Sequence, residues 1–144
     1  MEVEQEIVRT EKIKTRIREV STIEKKIERT LKNYVPTGKL RNERELEVSL
    51  SARLASVFGH ENIQTQAPLE HGKVDIVINR EYAIELKMPS TYGELIKSEG
   101  PISHYADSFK KVFFYIYDIK RVLTPTEKKE IAKKLPSNVE IIVK

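Results

Sequence analysis

Along the first quarter of the chain, Ile7, Ile13, Ile17, Val20, Ile27 and Leu31 recur at helical spacings among alternating Glu, Lys and Arg. Neither Gly nor Pro occurs between Val3 and Tyr34. This pattern predicts one long amphipathic helix with a thin apolar stripe, closer to a coiled-coil seam than to a face buried in a globule. Such a helix either pairs two copies of the chain or lies along its own domain. Val35-Pro36-Thr37-Gly38 breaks the periodicity. It separates an N-terminal amphipathic helix, 1–35, from a domain spanning 39–144.

Within that domain a second helix is predicted from about Arg41 to Phe58, with Leu46, Leu50, Leu54 and Val57 as its buried stripe and Gly59 closing it. Three short strands follow, at about Ile63–Gln66, Lys73–Ile78 and Tyr82–Met88. Ser90 to Lys111 is helical in pattern but interrupted by Gly100-Pro101, which predicts two short helices or a loop and a helix. Val112 to Tyr117 is a continuous apolar run rich in β-formers, the mark of a strand buried on both faces. Thr124-Pro125-Thr126-Glu127 carries an N-cap, a first-turn proline and a capping-box glutamate. That helix runs to Leu135-Pro136, and Asn138–Val143 reads as a last strand. The expected order is α, α, β, β, β, α, β, α, β, an α/β domain.

Composition adds a few bounds. With 144 residues and 39% hydrophobic content the chain holds one modest core. No apolar run approaches the ~18–20 residues of a membrane span, and the acidic start MEVEQEIVRT lacks the apolar stretch of a signal peptide. With no Cys there is neither a disulfide framework nor a thiolate metal site. An intracellular, cytoplasmic protein with no membrane segment is expected. The net charge of +4 favours a polyanionic partner such as DNA, although many proteins without one are as basic.

The chemistry concentrates between Lys73 and Lys87. Alternation puts Val74, Ile76 and Ile78 on one face of their strand and Asp75 on the other. On the next strand Tyr82, Ile84 and Leu86 share a face, opposite Glu85 and Lys87. A hairpin turning through Asn79-Arg80-Glu81 aligns the apolar faces only if Ile78 meets Tyr82, Ile76 meets Ile84 and Val74 meets Leu86. That register sets Asp75 opposite Glu85, with Lys87 one step further on the same face. Opposed carboxylates repel, so a pair on a partly apolar face shares a proton or holds a cation. Oxygen ligands suit Mg²⁺, with Mn²⁺ able to substitute. Lys87 beside them could position or help deprotonate an attacking water, or stabilise developing charge. The bland alternative is a cross-strand carboxylate–lysine pair without function.

Asp75, followed on the next strand by Glu85-Leu86-Lys87, resembles the PD-(D/E)XK nuclease superfamily, which includes type II restriction enzymes and archaeal Holliday-junction resolvases. Val74 stands where the superfamily usually has Pro. The resemblance implies a restriction endonuclease-like αβββαβ core, here with a long N-terminal helix and a C-terminal αβ addition. It implies a Mg²⁺-dependent endodeoxyribonuclease in which Asp75, Glu85 and the Leu86 carbonyl hold the metal. Members often add a Glu from the first core helix, and Asn42-Glu43-Arg44-Glu45-Leu46 is similar to the segment opening the archaeal resolvases. That match makes Glu43 the further ligand and Arg44 a candidate phosphate contact. Spacing alone leaves Glu43 and Glu47 both open, one helical turn apart on one face, with Glu45 off it. Cutting both strands of a duplex needs two sites, which a homodimer supplies.

Other features carry less. His60, His71 and His104 have no zinc spacing, and His71-Gly72 is expected on a loop before the Asp75 strand. Tyr92, His104 and Tyr105 fall on the helical segment after Lys87 without a recognisable motif. Lys110-Lys111, Lys120-Arg121, Lys128-Lys129 and Lys133-Lys134 make the last third basic, as a DNA-facing surface or a solvated one. The alternatives to a restriction-like endonuclease are a junction resolvase, a non-catalytic DNA-binding module of the same fold, and a coiled-coil scaffold.

Overall fold

The computed structural model describes residues 22–70 and 72–144. The chain divides between Asn33 and Tyr34 into two units. In the first, residues 22–33 form helix α1, as the periodicity predicts. The Lys32–Glu28 ion pair and the Thr30 hydroxyl, which donates to the Lys26 carbonyl, tie successive turns of it. Ile7, Ile13, Ile17 and Val20 of the expected apolar stripe lie outside the described residues.

The second unit is a mixed α/β domain built on one five-stranded sheet. Helix α2 (Glu43–Phe58) leads through a 3₁₀ turn (His60–Asn62) into strands β1 (Ile63–Leu69), β2 (Gly72–Ile78) and β3 (Tyr82–Lys87). Helices α3 (Tyr92–Lys97) and α4 (Glu99–Ala106) precede β4 (Lys111–Ile116); α5 (Pro125–Lys134) precedes β5 (Val139–Val143). The order is the one the hydrophobic pattern predicts, but the two helices of the Ser90–Lys111 stretch part at Ser98, so that Gly100-Pro101 lies in the first turn of α4 rather than at the break. Among the described residues no helix is long and apolar enough to cross a membrane.

The sheet order is β1-β2-β3-β4-β5, with the first three strands antiparallel and β3, β4 and β5 parallel. Strand β4 is the buried centre: Val112 through Ile116 are fully inaccessible. On one face Val77, Ala83, Val112, Phe114 and Ile116 pack with Leu95 of α3, Ile102, Tyr105 and Ala106 of α4, and Ile131 of α5. Over the other face lies α2, against β1, β2 and β3. There Leu46, Leu50 and Leu54 are fully buried, as are Ile76, Ile78, Tyr82 and Ile84.

At α2, β1 and β2 the structure departs from the sequence expectation for physical reasons. Helix α2 starts at Glu43 rather than Arg41, because Asn42 is extended and its side chain accepts the Glu45 N–H as an N-cap. Val57 is only half-buried, and Ala55 and Glu47 take its place among the buried residues of α2. Strand β1 runs on past Gln66 to Leu69, so Gly72 belongs to β2, paired with Leu69, rather than to a loop. His71 lies outside the described residues. At α5 the Thr124 hydroxyl accepts the Glu127 N–H while the Glu127 carboxylate accepts the Thr124 N–H, the capping box that the sequence predicts.

A candidate acidic site where two strands part

The hairpin turn brings β2 and β3 together in the register that the apolar pattern selects. Ile78 pairs with Tyr82, Val77 with Ala83 and Ile76 with Ile84. Asn79 and Arg80 both take left-handed φ values (53° and 61°) to make the three-residue turn, and the Glu81 N–H closes it onto the Ile78 carbonyl at 3.1 Å. The backbone pairing ends at Ile76–Ile84, so the expected Val74–Leu86 partnership is not formed. Instead Asp75 Oδ2 accepts the Leu86 backbone N–H at 2.8 Å. Strand β3 meanwhile keeps its pairing to β4 through Lys87–Ile116. The strands part at the one level where both carry a carboxylate, and the Asp75 side chain spans the opening.

Asp75 and Glu85 are direct neighbours there. Burial, then the charge of Asp75, pushes the Glu85 carboxyl up to about 9, and Lys87 only partly offsets this. Glu85 is therefore protonated near neutral pH and can donate to Asp75, whose own carboxyl is raised mainly by burial. Glu85 Oε2 is buried with no hydrogen-bond partner among the described residues. A pair sharing a proton and an orphaned buried oxygen is the signature of carboxylates short of positive charge.

Helix α2 supplies two more carboxylates on the stripe that continues through Leu50 and Leu54. Glu47 is buried (4% exposed) and doubly held: Arg44 Nη1 donates to its Oε2 at 2.8 Å, and Gln66 Nε2 donates to its Oε1 at 2.6 Å. Glu43 sits one turn earlier, accepting the Met88 N–H at 3.2 Å and facing Lys87 Nζ at 4.0 Å. Both line a cleft of about 370 Å³ with Arg44, Gln66, Asp75 and Leu86. Across β3, Glu85 and Lys87 line a second cleft of about 350 Å³ with Glu94, Lys97 and Tyr105. Glu45 faces elsewhere, paired with Arg41.

The structure thus sets Asp75 beside Glu85, gathers Glu43, Arg44, Glu47 and Leu86 in the cleft that Asp75 lines, and leaves Glu85 and Lys87 lining the cleft across β3. Among the described residues, however, no group of three or more His, Asp or Glu side chains is arranged to hold a metal ion. The carboxylates bond to protein donors instead: Asp75 to Leu86, Glu43 to Met88, Glu47 to Arg44 and Gln66. The donor set itself, oxygen-only and electron-rich with one oxygen orphaned, fits a hard divalent cation.

Two residues beyond the sequence reading belong to this neighbourhood. Gln66 connects Glu47 to Asp75, although nothing in its local sequence marks it. Tyr105, unassigned from sequence, donates its hydroxyl to the Lys73 carbonyl at 3.1 Å, two residues before Asp75. Burial, then the charges of Glu85 and Asp75, raise that phenol above its ordinary value. In the basic last third, Lys110 pairs with Glu81 and Lys111 with Glu140, while Lys120 donates to the Ser90 hydroxyl. These three lysines serve the fold as well as the surface charge.

No family model, curated protein or solved structure matches this chain.

Proposed function

We propose that the chain is a metal-dependent DNA endonuclease of the PD-(D/E)XK kind, hydrolysing phosphodiester bonds at the opening between β2 and β3. The observation that carries this reading is the placement of Asp75 and Glu85 at the single level where the hairpin ladder stops, with Lys87 two residues on. The element order from α2 to β4, one helix, three strands, two short helices and a strand, is compatible with the αβββαβ core that the sequence resemblance implies. Burying two adjacent carboxylates costs stability, and a cation offsets that cost.

Asp75 and Glu85, with the Leu86 carbonyl and a glutamate of α2, would hold a Mg²⁺ ion, and Mn²⁺ would substitute. Such an ion supplies Lewis acidity, lowering the pKa of a bound water and stabilising charge on a phosphoryl oxygen. Lys87, 4.0 Å from Glu43, would orient the attacking water or stabilise charge developing on the phosphoryl oxygens. Arg44, 70% exposed at its side chain, offers a guanidinium to a backbone phosphate. A homodimer would present two such sites to the two strands of a duplex.

The test is cleavage of supercoiled plasmid and of a synthetic four-way junction with Mg²⁺ or Mn²⁺, comparing wild type with Asp75→Ala and Lys87→Ala. Cleavage by wild type and its loss in both variants is expected. Equal activity in all three proteins sinks the assignment.

A further inference from the structure

We propose that Gln66 is a positioning residue of this site, its carboxamide fastening Asp75 to Glu47 from a left-handed backbone in the middle of strand β1. The proposal rests on the nuclease reading above and adds to it a residue outside the Asp–Glu–Lys set.

Gln66 has φ 50° inside a strand. Left-handed backbone is unfavourable for a side chain with a Cβ, and it is found where the surroundings over-determine it. Packing does not hold Gln66 there, because the residue is exposed on an edge strand. The β1–β2 register, which runs Thr65–Ile76 and then Ala67–Val74, places Gln66 across from Asp75 and omits that one pair from the ladder. What Gln66 gains is side-chain contact: its Nε2 lies 2.6 Å from Glu47 Oε1 and 3.4 Å from Asp75 Oδ1.

A line of contacts results, from Arg44 to Glu47, on to Gln66, then Asp75 and finally the Leu86 N–H. It crosses α2, β1, β2 and β3. Gln66 is its only neutral side chain, and the amide NH₂ has two protons to offer two acceptors. A carboxylate at this position would add a third negative charge, and a lysine would compete with a bound cation. The amide restrains both carboxylates without neutralising either. Each retains lone pairs for a ligand in the cleft of about 370 Å³ that Gln66 lines.

Gln66→Gly is the informative variant, because glycine takes the left-handed backbone freely while removing the amide. Gln66→Asn is its companion: Asn tolerates that backbone but reaches less far. Full-length proteins are compared for Mn²⁺ affinity by calorimetry and for plasmid cleavage, resolving kcat from the KM for DNA. Removing an outer partner of a metal-ligating group costs about 10- to 100-fold in affinity or turnover. That loss is expected in kcat and in Mn²⁺ binding for Gln66→Gly, with KM unchanged and partial recovery in Gln66→Asn. Combining Gln66→Gly with Glu47→Gln is expected to lose no more than the larger single effect.

If wild type binds and cleaves while Gln66→Gly does both equally well, the positioning role falls and the nuclease reading stands. Losses that multiply in the double variant also overturn it. If wild type neither binds Mn²⁺ nor cleaves DNA, the nuclease reading falls and takes this role with it.

Discussion

Asp75 Oδ2 accepts the Leu86 N–H at 2.8 Å, so a catalytic candidate on β2 also closes the gap in the hairpin where β3 departs from it. One side chain would thus serve both the fold and the proposed chemistry, and substitution separates the two roles. Asn keeps an oxygen for the Leu86 N–H and loses the charge. Ala loses both.

For Asp75→Asn, metal-free thermal stability is expected to equal or exceed that of wild type, while cleavage falls by at least about 100-fold, the scale of losing a group that acts in the transition state. Asp75→Ala is expected to lose activity equally and to be destabilised by about 1–3 kcal/mol, from the half-buried N–H left without its acceptor. Thermal melts and nicking assays on the same preparations separate the two. A melting temperature for Asn well below that for Ala would refute the division of roles.

The metal-free domain should lose stability as pH rises. Glu85 titrates at about 9 in the fold against an ordinary 4.5, so between those values the folded chain keeps a proton that the unfolded chain has released. The sign follows: the stabilisation is full below about 4.5, declines through neutral pH and is gone above about 9. Asp75, also raised, acts in the same direction. Urea titrations from pH 5 to 9.5 should show the decline in wild type and a flatter profile in Glu85→Gln. Millimolar Mn²⁺ should flatten the wild-type profile as well.

The two α2 glutamates should respond differently to truncation. Glu47 is buried between Arg44 and Gln66, so Glu47→Ala is expected to cost about 1–3 kcal/mol by removing its two charge-assisted hydrogen bonds and the packing of its side chain. Glu43 is 44% exposed at its side chain, with a 4.0 Å approach to Lys87, and Glu43→Ala is expected to cost under about 1 kcal/mol. Chemical denaturation of the pair checks this. The reverse ranking would contradict the burial pattern of α2.

Gly72 has φ 149°, and a Cβ there would lie 3.3 Å from the Tyr105 hydroxyl. Gly72→Ala should therefore strain β2 and push Tyr105 off the Lys73 carbonyl. Tyr105→Phe removes that bond alone and is expected to cost about 0.5–1.5 kcal/mol. Gly72→Ala should exceed it, because it adds backbone strain to the lost bond. Denaturation midpoints of the two variants, side by side, give the comparison.

The fold was largely readable from the chain because its signals are local. The 3.6-residue spacing of Leu46, Leu50 and Leu54, the β-rich run at Val112–Ile116 and the capping box at Thr124 each specify an element without reference to the rest. The pairings Ile78–Tyr82 and Ile76–Ile84 were legible too, since only one turn length aligns two apolar faces. What the sequence did not disclose is where the pairing stops. That depends on a carboxylate competing for the Leu86 N–H, a contact that alternation cannot reveal. Gln66 was hidden for the same reason: a left-handed glutamine inside a strand follows no residue propensity, and its partner Glu47 lies 19 positions away.

The strands stand in the sheet in the order in which they occur in the chain, β1 through β5. The antiparallel neighbours are joined within a few residues of sequence, whereas β3–β4 and β4–β5 are joined across α3–α4 and across α5. Pairings across short turns close small loops and form sooner than parallel ones, which wait for their crossover helices. Every acidic and basic group of the proposed site, from Glu43 to Lys87, precedes β4 in the chain. The hairpin that defines the site can form first, and the later segments then cover a surface already in register.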